Sequence, residues 1–312
     1  MIENLLIFIF SLLLVIKGAT MATTYSSRLA ENFRLSKYVI GFIIVAFISI
    51  LPETIISINS ALKNVPEFGL GTLFGGNIAD LTLVLAILII YVGRNIHIES
   101  KVLKDVRVFP FFLLLPLLFG LNGYYSRLEG VLLILVGIFF YYLVLRDNIN
   151  TSIPQKKIGG WLKNLILFLF AMFLLLTGSH FTVESASSLA TALHVPPLLI
   201  GLLVVGLGTT MPEFFYCLKT LKKNEDGLVV GDILGTVLAD ATIVIGILAV
   251  INPFSFPKKI IYVTGFFMLV ASFILINFMR SGKIISKKEG YQLFIFWLIY
   301  ALAEVLISNF AP

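Results

Sequence analysis

The sequence predicts an all-α membrane protein, with ten transmembrane helices in two inverted five-helix repeats. Three observations carry that expectation. Of the 312 residues, 59% are hydrophobic and only 13% charged, against about 45–50% and about 25% in soluble domains. The chain divides into ten apolar stretches, and it aligns with itself at an offset of 160 residues without a gap. A surface so poor in charge must face lipid.

A spanning helix needs ~20 mostly apolar residues. By that rule the spans are 3–25, 37–61, 68–92, 108–122, 128–146, 161–185, 197–221, 228–251, 259–279 and 291–308. The fourth is short for a full crossing. The first has Glu3 before it, with no basic leader and no small-residue cleavage site, so it is expected to remain a helix rather than be removed as a signal peptide. Numbered in order, and counted together with the basic residues at the adjoining span ends (Lys37, Arg146, Lys163, Lys219 and Lys259), the odd connections carry 18 Lys and Arg, whereas the even connections and the two termini carry 4; Lys17 lies well within the first span. The positive-inside rule then predicts odd connections in the cytoplasm and both termini outside, in the cell membrane. Every connection is short, which leaves no room for a soluble catalytic domain. The net charge of +6 raises nucleic acid as a partner, but the basic residues form no stripe. The single cysteine, Cys217, completes neither a disulfide nor a thiolate metal motif. No cofactor and no obligate protein partner is indicated.

The repeat is specific rather than compositional. Between 41–90 and 201–250 there are 14 identities in 50. They include Pro52/Pro212, Glu53/Glu213, Asn64/Asn224, Gly71/Gly231, Gly75/Gly235 and Asp80/Asp240. Shared Leu and Ile could arise by chance, but Pro-Glu opposite Pro-Glu and Asp opposite Asp could not. The units are 1–146 and 161–312, joined by a short cytoplasmic connection at 147–160. Each holds five spans, an odd number, so the second enters the membrane from the opposite side. Secondary transporters are commonly built this way, with the ion site near mid-membrane at the repeat interface.

Glu53, Asp80, Glu213 and Asp240 fall deep inside apolar runs. An ionised Asp at a helix centre costs ~2.5–3.5 kcal/mol on insertion scales, so four without partners cost on the order of 10 kcal/mol. Buried basic partners are the bland explanation, but Lys17 is the only candidate away from the span ends, and its repeat counterpart is Thr177. A bound cation fits better. Pro212 removes a helix donor and frees the Gly208 carbonyl; Pro52 does the same for Ile48. Thr209 and Ser49 each lie four residues before a glutamate, on the same helical face. Carboxylate, hydroxyl and freed carbonyl are the oxygens that hard cations such as Ca2+ or Na+ take. Gly71-xxx-Gly75 and Gly231-xxx-Gly235 let neighbouring backbones approach closely enough to share one ion. His97, His180 and His194 are too separated for a metal motif and are read as loop or interface residues. Glu184 and Glu304 lie toward outer helix ends, where solvation accounts for them. Lys17 either neutralises a site carboxylate or reaches for the membrane surface.

With these residues assembled, the chain resembles the cation/calcium antiporter superfamily, most closely the prokaryotic sodium/calcium exchangers. Gly208-Thr209-Thr210-Met211-Pro212-Glu213 is similar to the family's Gly-Thr-Ser-x-Pro-Glu, and Gly231 to Asp240 to its Gly-Asn-x-x-Gly-Ser-Asn-x-x-Asp. The resemblance implies Glu53 and Glu213 as central Ca2+ ligands, with the carbonyls of Ser49 and Thr209 beside them. It also implies that Asp80, Asp240 and Thr236 complete a shared Na+/Ca2+ cluster, that Thr210 fills the motif's second hydroxyl position, and that the first and sixth helices slide across the bundle. The departures are Ile48 and Ile50 where the motif has Gly and a hydroxyl, Gly76 where Ser is common, Asp232 for the usual Asn, and Asp80 for Asn. The first repeat has thus lost hydroxyls and gained a carboxylate.

The expected function is a secondary antiporter, not an enzyme, that exchanges Ca2+ for Na+ or H+. Close carboxylates cannot all stay ionised in an empty low-dielectric site, so protons should compete with Ca2+. An intramembrane aspartyl protease needs no paired Pro-Glu elements and no inverted repeat. A passive channel could use an acidic ring, but broken helices around a mid-membrane site suit alternating access better.

Overall fold

The computed structural model describes residues 2–30, 42, 45–98, 108–148, 161–193 and 197–310. Most of the expected central connection, and with it Lys157, lies outside these, as does His194. Among the described residues seven helices are long and apolar enough to cross a membrane, or eight if the bent pair 201–209 and 213–221 is one span. Two shorter apolar helices, Ala46–Leu62 and Phe109–Asn122, accompany them. The protein is an integral membrane protein of mostly helical fold.

The helices follow the apolar runs. They are α1 (Ile2–Ala30), α2 (Ala46–Ser49), α3 (Leu51–Leu62), α4 (Pro66–Ala79), α5 (Leu85–Val92), α6 (Phe109–Phe119) and α7 (Arg127–Asn148) in the first half. The second half holds α8 (Trp161–Leu193), α9 (Pro197–Ile200), α10 (Gly206–Thr209), α11 (Met211–Leu221), α12 (Asp226–Ala239), α13 (Ile245–Ile251), α14 (Phe266–Arg280) and α15 (Lys287–Phe310). Two-residue strands tie the connections together: β1 (Ile96–His97) pairs antiparallel with β4 (Ile284–Ile285), and β2 (Tyr124–Tyr125) with β3 (Phe254–Ser255).

Local devices recur 160 residues apart. α3 and α11 both end in a left-handed asparagine, Asn64 and Asn224, each at φ 59°. In both, the following amide reaches back to the helix: Val65 N–H to the Ser60 carbonyl at 2.9 Å and Glu225 N–H to the Thr220 carbonyl at 3.3 Å. Asparagine tolerates this conformation better than most residues. α7 and α15 both start with a capping box, in which Ser126 and Ser286 hydroxyls each donate to a glutamate three residues on, Glu129 and Glu289, at 2.7 Å. π-helical turns follow α4 and α12 at Asp80–Val84 and Asp240–Val244.

Lipid offers no hydrophobic drive between helices, so close packing depends on small residues. A methyl at Gly75 would collide with the Leu202 carbonyl, and one at Gly235 with the Phe42 carbonyl. The two Gly-xxx-Gly faces thus bring segments from opposite halves of the chain backbone to backbone. α1 and α8 cross the same way: a Cβ on Gly178 would stand 2.9 Å from the Val15 amide nitrogen. Apolar packing divides accordingly. One cluster joins Val15, Ala19 and Ala22 of α1 to Ala171, Leu175 and Val183 of α8 and reaches Ile56 of α3 and Phe68 of α4, while the larger one runs through α4–α7 and α11–α15.

Candidate functional site

Two helix breaks build the site. Backbone order is interrupted at Ile50 and at Thr210, and a new helix starts immediately after each, with proline in its first turn. The second break bends its helix pair by 42°. Glu53 and Glu213 therefore both sit in the first turn of a restarted helix, where free N–H groups favour a carboxylate. The short segments α2 and α10 end at these breaks, immediately before the glutamate-bearing turns. Asp80 and Asp240 each open a π turn, a distortion that inserts an extra residue and is frequent at functional sites.

All eight residues expected at the site are buried: Glu53, Asp80, Glu213 and Asp240 at no more than 2% exposure, and Ser49, Thr209, Thr210 and Thr236 at no more than 1%. Their oxygens lack internal partners to an unusual degree. Among the described residues, Glu53 Oε2, both Glu213 oxygens, Asp80 Oδ1, Asp240 Oδ1 and Thr236 Oγ1 have no hydrogen-bond partner, where most buried polar atoms have one. The carboxylates feel one another: Glu213 interacts electrostatically with Glu53 and Asp80, and Asp240 with the same two. Thr209 reaches across to Glu53, while its hydroxyl also lies 3.1 Å from the Gly206 carbonyl. The Thr210 hydroxyl donates to the Leu207 carbonyl at 3.0 Å. Among the described residues, no three His, Cys, Asp or Glu side chains converge on one point at metal-binding distance. The carboxylates share a buried region but stand apart in this conformation.

Two further residues join the set. Asp232 is fully buried; its Oδ1 accepts from the Ser49 hydroxyl at 3.0 Å, and its Oδ2 lies 3.5 Å from Cys217 Sγ. It interacts electrostatically with Asp80 and Glu213. Asn77, three residues before Asp80, is buried with both amide atoms unpartnered. The i, i+3 spacing of Asn77 and Asp80 and the eight-residue spacing of Asp232 and Asp240 were the available signals, since each puts the pair near one helical face.

Glu304 overturns the expectation of a solvated helix end. It is 3% exposed, and Thr264 donates to its Oε2 at 3.1 Å. The position is near the end of α15 along the chain but is covered sideways by the turn at Ile261–Gly265, which sequence position does not reveal. Glu184 is exposed and pairs with Lys63 at 3.0 Å, with His180 at 3.6 Å. His180 lies on α8 rather than in a loop, and His97 on β1. Lys17 lies exposed on α1, which excludes it from neutralising the buried carboxylates.

Comparison with known proteins agrees with this architecture. The chain is 26% identical over 302 residues to the uncharacterised membrane protein MJ0091 of Methanocaldococcus jannaschii, covering 96% of both chains. It is 21% identical to the sodium/calcium exchanger MaX1 of Methanosarcina acetivorans, over 95% of this chain and 97% of that one. Among solved structures, the sodium-calcium exchanger NCX_Mj, soaked with Na+ and Sr2+, superposes with a TM-score of 0.72 at 22% identity, covering 96% of this chain and 98% of its own. At that identity the likeness shows a shared fold. The family model described as sodium/calcium exchanger protein matches residues 3–146 and 163–306. With both halves of the chain matched separately, at nearly full length, this protein belongs to the sodium/calcium exchanger family, a family of transporters.

Proposed function

We propose that this chain is a secondary antiporter that moves Ca2+ against Na+ or H+ through Glu53, Asp80, Glu213 and Asp240, with Ser49, Thr209, Thr210 and Thr236 supplying neutral oxygens. The observation that carries the reading is the set of buried carboxylate oxygens without hydrogen-bond partners among the described residues. Such groups are expensive in a membrane unless a cation or proton offsets them. A hard divalent ion takes six to eight oxygens from carboxylates, hydroxyls and carbonyls, and these are the atoms presented. That the carboxylates do not converge fits alternating access, in which an ion draws the ligands together as the site closes.

The architecture of the proposal is ten spans in two inverted repeats, 1–146 and 161–312, joined at 147–160. The eight long spans plus the two shorter apolar helices, and the devices repeated at the 160-residue offset, support that count. In this reading the odd connections face the cytoplasm and both termini face outside, in the cell membrane. The related exchanger NCX_Mj was soaked with Na+ together with Ca2+ or Sr2+, which favours Na+ as a coupling ion. Asp80 and Asp232 in place of neutral amides favour H+.

Ca2+ uptake into proteoliposomes under separately imposed Na+ and H+ gradients tests the proposal. Uptake driven by either gradient is the expected result and names the coupling ion. Ca2+ movement down its own gradient with no counter-ion would replace the antiporter with a channel, and no Ca2+ movement under either gradient would remove Ca2+ as the substrate.

A further inference from the structure

We infer that Arg94 is a positioning residue for one half of the ion site: it locks the turn between α11 and α12, which carry Glu213 and Asp240, whereas the matching turn between α3 and α4 is held by a neutral amide and is the one that yields as the site closes. The inference rests on the reading above that these carboxylates bind the transported ion.

Arg94 stands two residues past the end of α5, and its guanidinium meets both oxygens of Asp226, the first residue of α12: Nη2 donates to Oδ1 at 2.6 Å and Nη1 to Oδ2 at 2.8 Å. Nη2 also donates to the carbonyl of Leu221, the last residue of α11, at 2.7 Å. The His97 amide of β1 adds a further bond to Asp226 Oδ2 at 2.8 Å. One side chain thus ties the end of one helix to the start of the next, and β1 joins both to β4 in the connection before α15. Helix polarity favours the placement, since a carboxylate suits an N-terminus and a cation a C-terminus. The Asp226 side chain is 10% exposed and that of Arg94 30%, so water competes less for this planar, two-pronged pair than for an ordinary surface pair.

The other half holds its turn differently. At the 160-residue offset Leu221 corresponds to Ala61, and Asp226 to Pro66. The Ala61 carbonyl also takes a donor from the opposite half: Asn252, one residue past the end of α13, reaches it at 3.0 Å and Asn64 Oδ1 at 3.4 Å. Both glutamate-bearing helices are therefore capped from a connection of the other half. One cap is a cation paired with a carboxylate; the other is a neutral amide, with proline where the carboxylate would stand. The turns themselves are alike. Each has its asparagine at φ 59°, and the Asn64 and Asn224 amides donate to the Ala61 and Leu221 carbonyls at 3.2 and 3.0 Å. The caps then set the difference in stiffness. A turn already fixed keeps Glu213 and Asp240 at their spacing and lowers the ordering cost of binding an ion. In the proposed topology the locked turn lies at the cytoplasmic face and the yielding one outside.

The test uses the full-length protein in detergent and in proteoliposomes. In hydrogen–deuterium exchange of the native protein, the amides of Asn64 and Val65 should exchange faster than those of Asn224 and Glu225. Arg94→Gln should speed the second pair by ~5-fold or more and leave the first unchanged, the size of effect expected for a lost ion pair of this exposure. Asp226→Asn should act in the same way, and Arg94→Lys, which keeps the charge without the fork, should fall between. In proteoliposomes, Arg94→Gln should raise the Ca2+ concentration for half-maximal flux by ~3-fold or more, with maximal flux per folded protein kept within about 2-fold. An ion pair that only stabilises the fold would lower the amount of folded protein at an unchanged half-saturating concentration. Should Arg94→Gln fail to fold, Arg94→Lys and Asp226→Asn carry the same comparison. Equal exchange of the two turns in the native protein, no faster exchange in the variants, or an unchanged half-saturating Ca2+ concentration would each overturn the inference. Were the native protein to show no Ca2+ flux, the transport reading would fail, while the exchange rates still judged the lock.

Discussion

Ser49 and Asp232, 183 residues apart in sequence, are joined by a buried hydrogen bond of 3.0 Å from the Ser49 hydroxyl to Asp232 Oδ1. The bond ties the broken helix of the first half to α12 of the second. A buried carboxylate oxygen that loses its donor costs about 1–3 kcal/mol. Ser49→Ala should therefore lower the thermal midpoint in Ca2+-free detergent, and adding Asp232→Asn should recover part of the loss, because a neutral amide is cheaper to leave unpaired. An unaltered midpoint in Ser49→Ala would show that the bond contributes nothing in the native state.

Glu53→Gln and Glu213→Gln should each abolish Ca2+ transport and leave the protein folded. The substitution keeps size and one oxygen while removing the charge that offsets the ion. Both positions carry oxygens with no internal partner, so neutralising one removes a desolvation cost and should hold or raise the thermal midpoint. Near-native Ca2+ flux in either variant would exclude that residue as an essential ligand.

Asp80 is the acidic departure from the family pattern in the first repeat, and it interacts electrostatically with Glu53 and Asp232. A protonated carboxyl is a poor ligand, so Ca2+ flux should fall as pH is lowered and protons occupy the set. Asp80→Asn removes one titrating member and should flatten this dependence more than it lowers maximal flux. The measurement is initial Ca2+ flux from about pH 5.5 to 8.5; normalised profiles that superimpose would clear Asp80 of any role in proton sensitivity.

The charge bias of the connections predicts the orientation. In a Cys217→Ser background, a cysteine placed at Lys157 should react with an impermeant thiol reagent only from the cytoplasmic face. Labelling from outside intact cells would invert the proposed topology.

How much of this was legible in the sequence depends on the length scale of each feature. The helical breaks were readable because Pro52 and Pro212 are local causes. The backbone approach at Gly75 and Gly235 was readable because no other residue fits there. Helix ends were less so. α1 and α8 run to Ala30 and Leu193, beyond the expected ends at 25 and 185. Their polar ends read as connections, yet Thr24 and Ser188 hydroxyls donate back to carbonyls four residues earlier, at 2.7 and 3.0 Å, and so stay within the helix. The π turns at Asp80 and Asp240 leave no mark on apolar periodicity. The contact of Asp232 with Ser49 and Cys217, and the burial of Glu304 against Thr264, depend on which helices meet, and no spacing along one helix encodes that.

Gly76 offers the most direct control over the coupling ion. The exchanger pattern commonly has Ser there, and the matching residue in the second half, Thr236, presents a buried, unpartnered hydroxyl. Space permits the change: a Cβ on Gly76 would meet nothing closer than Thr210 Cγ2 at 3.7 Å and the Gly206 carbonyl at 3.8 Å, both ordinary contacts. Replacing a helical glycine should also favour the helix by some tenths of a kcal/mol. Gly76→Ser would thus add one neutral oxygen to a half that lacks the pattern's hydroxyls at Ile50 and Gly76, without adding charge. Neutral oxygens serve a monovalent ion better than extra carboxylates, which favour divalent ions or protons. The expected outcome is a lower Na+ concentration for half-maximal Ca2+ exchange, with H+-driven exchange unchanged or reduced. If the Na+ dependence of the variant matches that of the native protein while the thermal midpoint is retained, the hydroxyl at this position is not a Na+ ligand, and the choice of coupling ion lies with Asp80 and Asp232 instead.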